Sequence, residues 1–117
     1  MTRTSPAATA IASLVSERDW QRQVTDAAEL FGWSWAHFRP ARRANGGWYT
    51  AVSGPLGAGF TDLVLAKPGR LLFVECKRQD GQTTPGQAAV HEQLRAAGAE
   101  VHVWRPSDLP QALEILR

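Results

Sequence analysis

Asp62, Glu75 and Lys77 are the residues of this sequence whose types and spacing most readily do chemistry. Residues 60–66 and 71–77 are apolar, strand-like runs joined by Lys67, Pro68, Gly69 and Arg70, a turn sequence, so they are expected to pair as a hairpin. A symmetric turn sets Lys67 opposite Arg70 and, carried along the ladder, Asp62 opposite Glu75. Directly opposed side chains share a face with Cβ atoms roughly 5 Å apart, where two carboxylates repel each other unless something positive lies between them. Lys77, two residues past Glu75, points to that same face by strand alternation, and Cys76 points to the other.

Paired carboxylates of this kind offer hard oxygen ligands that suit Mg²⁺ or Mn²⁺, ions that keep several waters and bind phosphate oxygens. A cation held there lowers the pKa of a bound water, and a positioned lysine orients the nucleophile or neutralises charge developing on phosphorus-bound oxygen. The chemistry expected is phosphodiester hydrolysis. A plainer arrangement fits the same residues: Glu75 and Lys77 form an ion pair at a strand end and Asp62 caps a turn. The register decides between the two, because a slip of one residue turns every side chain to the opposite face.

The elements that must position these groups are legible around them. Residues 1–15 are small, polar and Pro-interrupted at the start, which predicts a flexible arm, and 16–117 form one domain. Ser16 followed by Asp19 resembles a helix cap, and Trp20, Val24, Ala27, Ala28 and Phe31 recur at helical spacing until Gly32. Residues 33–38 alternate as a strand, with Trp33, Trp35 and His37 on one face. Residues 39–59 contain Pro40, Pro55 and five glycines and read as a long loop. Thr84, Pro85 and Gln87 start a second helix with Val90, Leu94 and Ala97 as its apolar stripe and His91 on its exposed side. Residues 100–105 form a short strand, with Val101 and Val103 facing one way, and Ser107 or Asp108 caps a last helix containing Leu109, Leu113 and Leu116. Strand, helix, strand in sequence predicts a right-handed parallel crossover. The fold class expected is α/β, a mixed central sheet flanked by helices.

Composition narrows the partners. With 44% hydrophobic and 21% charged residues the chain can bury a core, and no apolar run approaches the roughly 20 residues of a membrane helix. No membrane association and no signal peptide are expected, and the lone Cys76 gives no reason to expect an oxidising compartment, so the expected location is cytoplasmic. The net charge of +2 hides a skew: residues 30–61 lack any acid, while His37, Arg39, Arg42 and Arg43 cluster there with Trp48 and Tyr49 behind them. Eleven of the thirteen basic residues are Arg, whose planar fork grips phosphate in two places. His37, Arg39, Arg42 and Arg43 are therefore candidate DNA contacts, though a solvated basic loop has the same composition. Trp48, in the Gly-rich loop, could stack on an exposed base.

The stretches GFTDLVL, LLFVECK, TTPGQ and GAEVHVWRPSD resemble a VRR-NUC domain of the PD-(D/E)XK nuclease superfamily, and the resemblance spans about residues 16–109. It implies a restriction-endonuclease-like αβββαβ core, metal-dependent DNA cleavage with Mg²⁺ or Mn²⁺, and homodimers acting on branched DNA such as four-way (Holliday) junctions. Position by position, Asp62 matches the metal-binding Asp, Glu75 the second acidic ligand and Lys77 the catalytic lysine. The backbone carbonyl of Cys76 is implied as a further ligand. Glu17 matches the first-helix acid that binds metal or a metal-bound water, although a first-turn Glu is also favoured by the helix dipole. Gln87 matches an active-site helix glutamine, a role compatible with its capping Thr84. One departure is Thr61, where the family commonly has Pro.

Two other readings stay open at this level: a non-catalytic DNA-binding or assembly module of the same fold, and a nuclease of single-stranded DNA or RNA. His37, His91 and His102 lack the spacing of a metal site, and His102 reads as a strand-surface or interface residue. A dimer interface is expected to draw on Trp33, Trp35, Trp104, Leu113 and Leu116, a supply of large apolar side chains that looks excessive for one small core.

Overall fold

A computed structural model describes residues 5–117. In chain order the elements are α1 (Pro6–Ala12), α2 (Glu17–Leu30), β1 (Ser34–His37), β2 (Ala41–Arg42), β3 (Trp48–Tyr49), β4 (Leu63–Lys67), β5 (Arg70–Cys76), α3 (Pro85–Ala96), β6 (Glu100–Trp104) and α4 (Leu109–Leu116). Short 3-10 turns lie at Gly57–Gly59 and Pro106–Asp108. The main sheet has the order β1-β4-β5-β6, antiparallel except for the parallel β5/β6 pair that α3 connects. It is a mixed four-stranded sheet with flanking helices, as the sequence predicts.

Helix α2 begins where Ser16 Oγ accepts the Asp19 N–H at 3.1 Å, with Glu17 and Asp19 in its first turn complementing the dipole. Its inner face, Trp20, Val24 and Ala28, packs on Leu63, Leu65, Leu72, Val74 and Cys76 together with Trp104, Ala112 and Leu116. The buried indoles of this layer find polar partners: Trp20 Nε1 donates to the Trp104 carbonyl and Trp33 Nε1 to that of Leu116, both at 2.8 Å. On the other sheet face α3 sets Val90 and Leu94 against Val101, Phe60 and Phe73. Its start is the expected capping box, in which Thr84 and Gln87 exchange bonds of 3.0 and 3.1 Å.

The β4–β5 turn end is closed by two cations. Lys67 and Arg70 lie 4.7 and 5.2 Å from the Trp33 ring centre. Arg70 donates to the Ile115 carbonyl at 2.7 Å, Lys67 reaches those of Phe31 and Leu116, and Arg70 also grips Glu100 with two bonds. Orphan carbonyls at the ends of α2 and α4 are thereby satisfied.

Several expectations are corrected. The arm expected over 1–15 contains α1, because Ser5 caps an Ala-rich turn with Pro at its start and Ala12 is buried; residues 1–4 lie outside the described residues. The loop 39–59 is not irregular throughout: Asn45 and Gly46, the latter with φ +89°, close β2 on β3, a turn chemistry the glycine count obscured. His91 is buried at 2% exposure, not on the surface, because the inward face of α3 is wider than the Val90–Leu94 stripe; Ala97 falls at the helix end and is exposed. Trp33, Trp104 and Leu116 are core residues and unavailable to a partner, while Trp35 stays partly exposed. Asp108 does not cap α4 by its side chain; it accepts the Arg105 N–H at 2.8 Å instead. Among the described residues no helix is long and apolar enough to cross a membrane.

Candidate functional site

Strand β4 pairs with β5 in the symmetric register, Lys67 with Arg70 through Leu63 with Val74. Carried one step beyond the ladder, the same register sets Asp62 opposite Glu75, at the sheet end away from the turn. Asp62 stands one residue before β4, Glu75 is the penultimate residue of β5, and Lys77 lies one residue past that strand. Lys77 N–H donates to the Trp104 carbonyl at 3.0 Å, which carries the β5/β6 ladder up to the site.

Asp62 is held from two sides. Gln21 Nε2 donates to its Oδ2 at 2.6 Å, and the Cys76 N–H donates to its Oδ1 at 3.1 Å. The N–H and C=O of one strand residue point the same way, so the Cys76 carbonyl also faces the Asp62 side. Its thiol is fully buried, and burial pushes it far up the pKa scale, away from thiolate chemistry. Thr61 is buried, its hydroxyl donating to the Leu63 carbonyl at 3.2 Å, so it braces the start of β4.

The carboxylate pair is electrostatically strained. Burial raises Asp62 to about 6, against the hydrogen bonds from Cys76 and Gln21 that favour its charged form. Glu75, 7% exposed, is raised to about 8, first by burial and then by the negative charge of Asp62, while Lys77 pulls the other way. At neutral pH Asp62 is thus largely ionised while Glu75 keeps its proton, and ionising Glu75 as well calls for a compensating positive charge. The Glu75 carboxylate, the Asp62 carboxylate oriented by Gln21 and the Cys76 carbonyl form a hard-oxygen donor set of the kind that suits Mg²⁺ or Mn²⁺.

Both carboxylates open into a cleft of about 1150 Å³ between the start of α2, the β1 end and the 39–59 segment. Glu17, Gln87, His37 and Arg39, all expected site residues, line it as well. Glu17 adds a smaller repulsion to Asp62 and Glu75, yet among the described residues no three His, Cys, Asp or Glu side chains are gathered closely enough to hold a metal directly. The expected Glu17–Asp62–Glu75 cluster is thus reduced to a close pair with Glu17 at the cleft wall. Lys77 does not line the cleft and acts on Glu75 from beside it. Burial, then the charge of Arg39, lowers the pKa of His37. Arg42 and Arg43 are exposed on the β2–β3 ribbon and do not reach the cleft.

Sequence reasoning missed Gln21, Arg18 and Arg22, which also line the cleft. The signal was available, since Gln21 follows Glu17 and Arg22 follows Arg18 by one helical turn. His102 is engaged structurally, 2.8 Å from Glu100 and stacked on Trp104. Compared with family models, curated proteins and solved structures, the chain matches none.

Proposed function

We propose that this protein is a Mg²⁺-dependent DNA endonuclease of restriction-endonuclease-like fold, selective for branched DNA such as a four-way junction and active as a homodimer. The observation that carries the reading is the Asp62–Glu75 pair, Glu75 buried and Asp62 half-buried, each carboxyl pushed toward its protonated form, in a cleft that Arg18, Arg22 and Arg39 also line. A fold gains nothing from opposing two such groups, whereas a divalent cation makes the arrangement favourable. The element order supports it too: leaving out α1 and the ribbon, α2, β1, β4, β5, α3 and β6 run αβββαβ.

Asp62, Glu75 and the Cys76 carbonyl would hold the metal, with Glu17 positioned to meet a metal-bound water. Mg²⁺ or Mn²⁺ supplies a water of lowered pKa and charge stabilisation at the scissile phosphate. Gln21 fixes the rotamer of Asp62. Lys77 places a positive charge beside Glu75, favouring its ionised form and opposing negative charge developing at the phosphate. His37, Arg39, Arg18 and Arg22 give the cleft wall its phosphate contacts. One chain carries one such site, so paired cuts across a junction need a twofold dimer.

The test incubates purified protein with a four-way junction, a linear duplex and single-stranded DNA in Mg²⁺, Mn²⁺ or EDTA, with light scattering on the same samples. The expected outcome is metal-dependent cutting of the junction by a dimer, lost in Asp62→Asn. No cleavage of any DNA in either metal refutes the enzyme, and a strictly monomeric species with and without DNA refutes the paired-cut arrangement.

A further inference from the structure

Outside the main sheet, β2 and β3 form a ribbon whose two faces carry the same device. The register sets Arg42 opposite Trp48 and Ala41 opposite Tyr49. Arg42 and Trp48 therefore share one face, while Tyr49 shares the other with Ala41 and, two residues on, Arg43. The Arg42 guanidinium lies 4.9 Å from the Trp48 ring centre and that of Arg43 4.6 Å from the Tyr49 ring centre. The ribbon is pre-formed: Arg43 N–H donates to the Gly47 carbonyl at 2.6 Å, Gly46 N–H to that of Arg43 at 3.0 Å, and Asn45 Oδ1 takes the Gly47 N–H at 2.9 Å.

Trp48 nevertheless remains 63% exposed and lines the cleft that holds Asp62 and Glu75. An indole left in water, with one face held by a guanidinium and no acid anywhere in residues 30–61, has surface and charge matched to a flat anionic ligand. We propose that the ribbon is a stacking wing for an unpaired nucleotide of a DNA strand, with the base on the free face of Trp48. Arg42, stacked behind the indole, fixes its plane and lies within reach of the neighbouring phosphate. A continuous duplex cannot use this surface, because its base faces are already stacked on one another and only phosphates are offered. A branch point, flap or single-stranded tail supplies the free base face. This rests on the nuclease reading, for the strand held by Trp48 is the one delivered to the carboxylate pair.

Binding without cleavage separates the two ideas. Fluorescence anisotropy in EDTA compares a blunt duplex with the same duplex bearing a short thymine tail, for wild type, Trp48→Ala, Trp48→Phe and Arg42→Gln. Wild type is expected to prefer the tailed DNA. Trp48→Ala should lose roughly tenfold to hundredfold affinity for the tail, the scale of one lost base–aromatic stack, and little for the blunt duplex. Trp48→Phe should recover most of the loss, which a charge effect or misfolding would not allow, and Arg42→Gln should fall between. No tail preference in wild type, or equal losses on both DNAs, overturns the wing. Tighter binding of an RNA tail than of the DNA tail overturns the assignment to DNA. Absent cleavage with intact tail preference refutes the nuclease alone, and cleavage with no tail preference refutes the wing alone.

Discussion

Replacing Glu75 by Gln should stabilise the metal-free protein at alkaline pH and abolish its response to Mg²⁺. Burial and Asp62 raise Glu75 from 4.5 to about 8, so between these values the native state holds a proton that the unfolded chain has released. Stability then falls as pH rises through that window, the opposite of the usual carboxylate behaviour. Each pKa unit corresponds to about 1.4 kcal/mol, and with water reaching the cleft we take on the order of 2 kcal/mol as the part realised at about pH 8. For a domain of this size that is roughly 8 °C in Tm. Differential scanning calorimetry of wild type and Glu75→Gln in EDTA should show the two coinciding near pH 4.5 and the variant melting roughly 8 °C higher near pH 8. Mg²⁺ at about a hundred times its Kd adds about 2.7 kcal/mol to wild type near pH 8, little near pH 5 where protons occupy the ligands, and nothing to the variant. If wild type in EDTA does not lose stability relative to Glu75→Gln between about pH 5 and about pH 8, or if Mg²⁺ stabilises both proteins alike, the carboxylate pair is not the strained, cation-seeking site argued for it.

Lys77→Ala should lower the cleavage rate by roughly 10²–10³-fold while junction affinity in EDTA stays within a few-fold of wild type; a rate within tenfold of wild type removes Lys77 from the chemistry. Gly59→Ala sets a Cβ onto the Gly86 carbonyl and 2.8 Å from Val90 Cγ2, where the turn before Asp62 meets the start of α3. It should cost about 1–3 kcal/mol by urea unfolding and lower activity, and an unchanged midpoint would contradict this packing. His91 Nε2 is buried without a partner, and burial, then Arg95 and Lys77, lowers its pKa below 6.5. The unfolded state therefore takes up the proton first as pH falls through 6.5, so the stability of wild type relative to His91→Leu should decline from pH 7 toward pH 5. Relief of the orphan nitrogen should make the variant about 1 kcal/mol more stable at pH 7, and a wild type more stable than the variant would point to an unseen partner for Nε2.

How much of this was legible in the sequence depended on whether the signal was local. The helix starts at Ser16 and Thr84 and the Lys67–Arg70 turn are set by neighbouring residues, and they hold. The turn also fixes the register that sets Asp62 opposite Glu75, so the carboxylate pair could be read from spacing. What escaped depended on packing between distant segments. His91 lies beside Val90 on a helix face whose width only the opposing sheet determines, and its polarity argued the wrong way. Trp33 and Trp104 look surplus to a small core, yet both are buried: the Trp104 carbonyl takes the Trp20 N–H and joins β6 to α2, and the Trp33 N–H closes the end of α4 at the Leu116 carbonyl. The ribbon escaped because its strands are two residues long, below the length at which alternation is visible.

The distribution of satisfied and unsatisfied groups along the sheet bears on the same question. At the turn end, Lys67 and Arg70 meet four carbonyl or carboxylate partners and an indole face, and the helix ends there are closed. At the other end lie two carboxylates raised in pKa, and the cleft they line also holds an indole left in water. Natural sequences are consistent at every level except where something other than stability is selected. Random imperfection would scatter such conflicts over the molecule. The two carboxylates in conflict stand together in one cleft that Arg18, Arg22 and Arg39 also line, which is what the proposed site for a cation and a phosphate-bearing strand requires: the groups left in conflict by folding are the groups that a ligand would relieve.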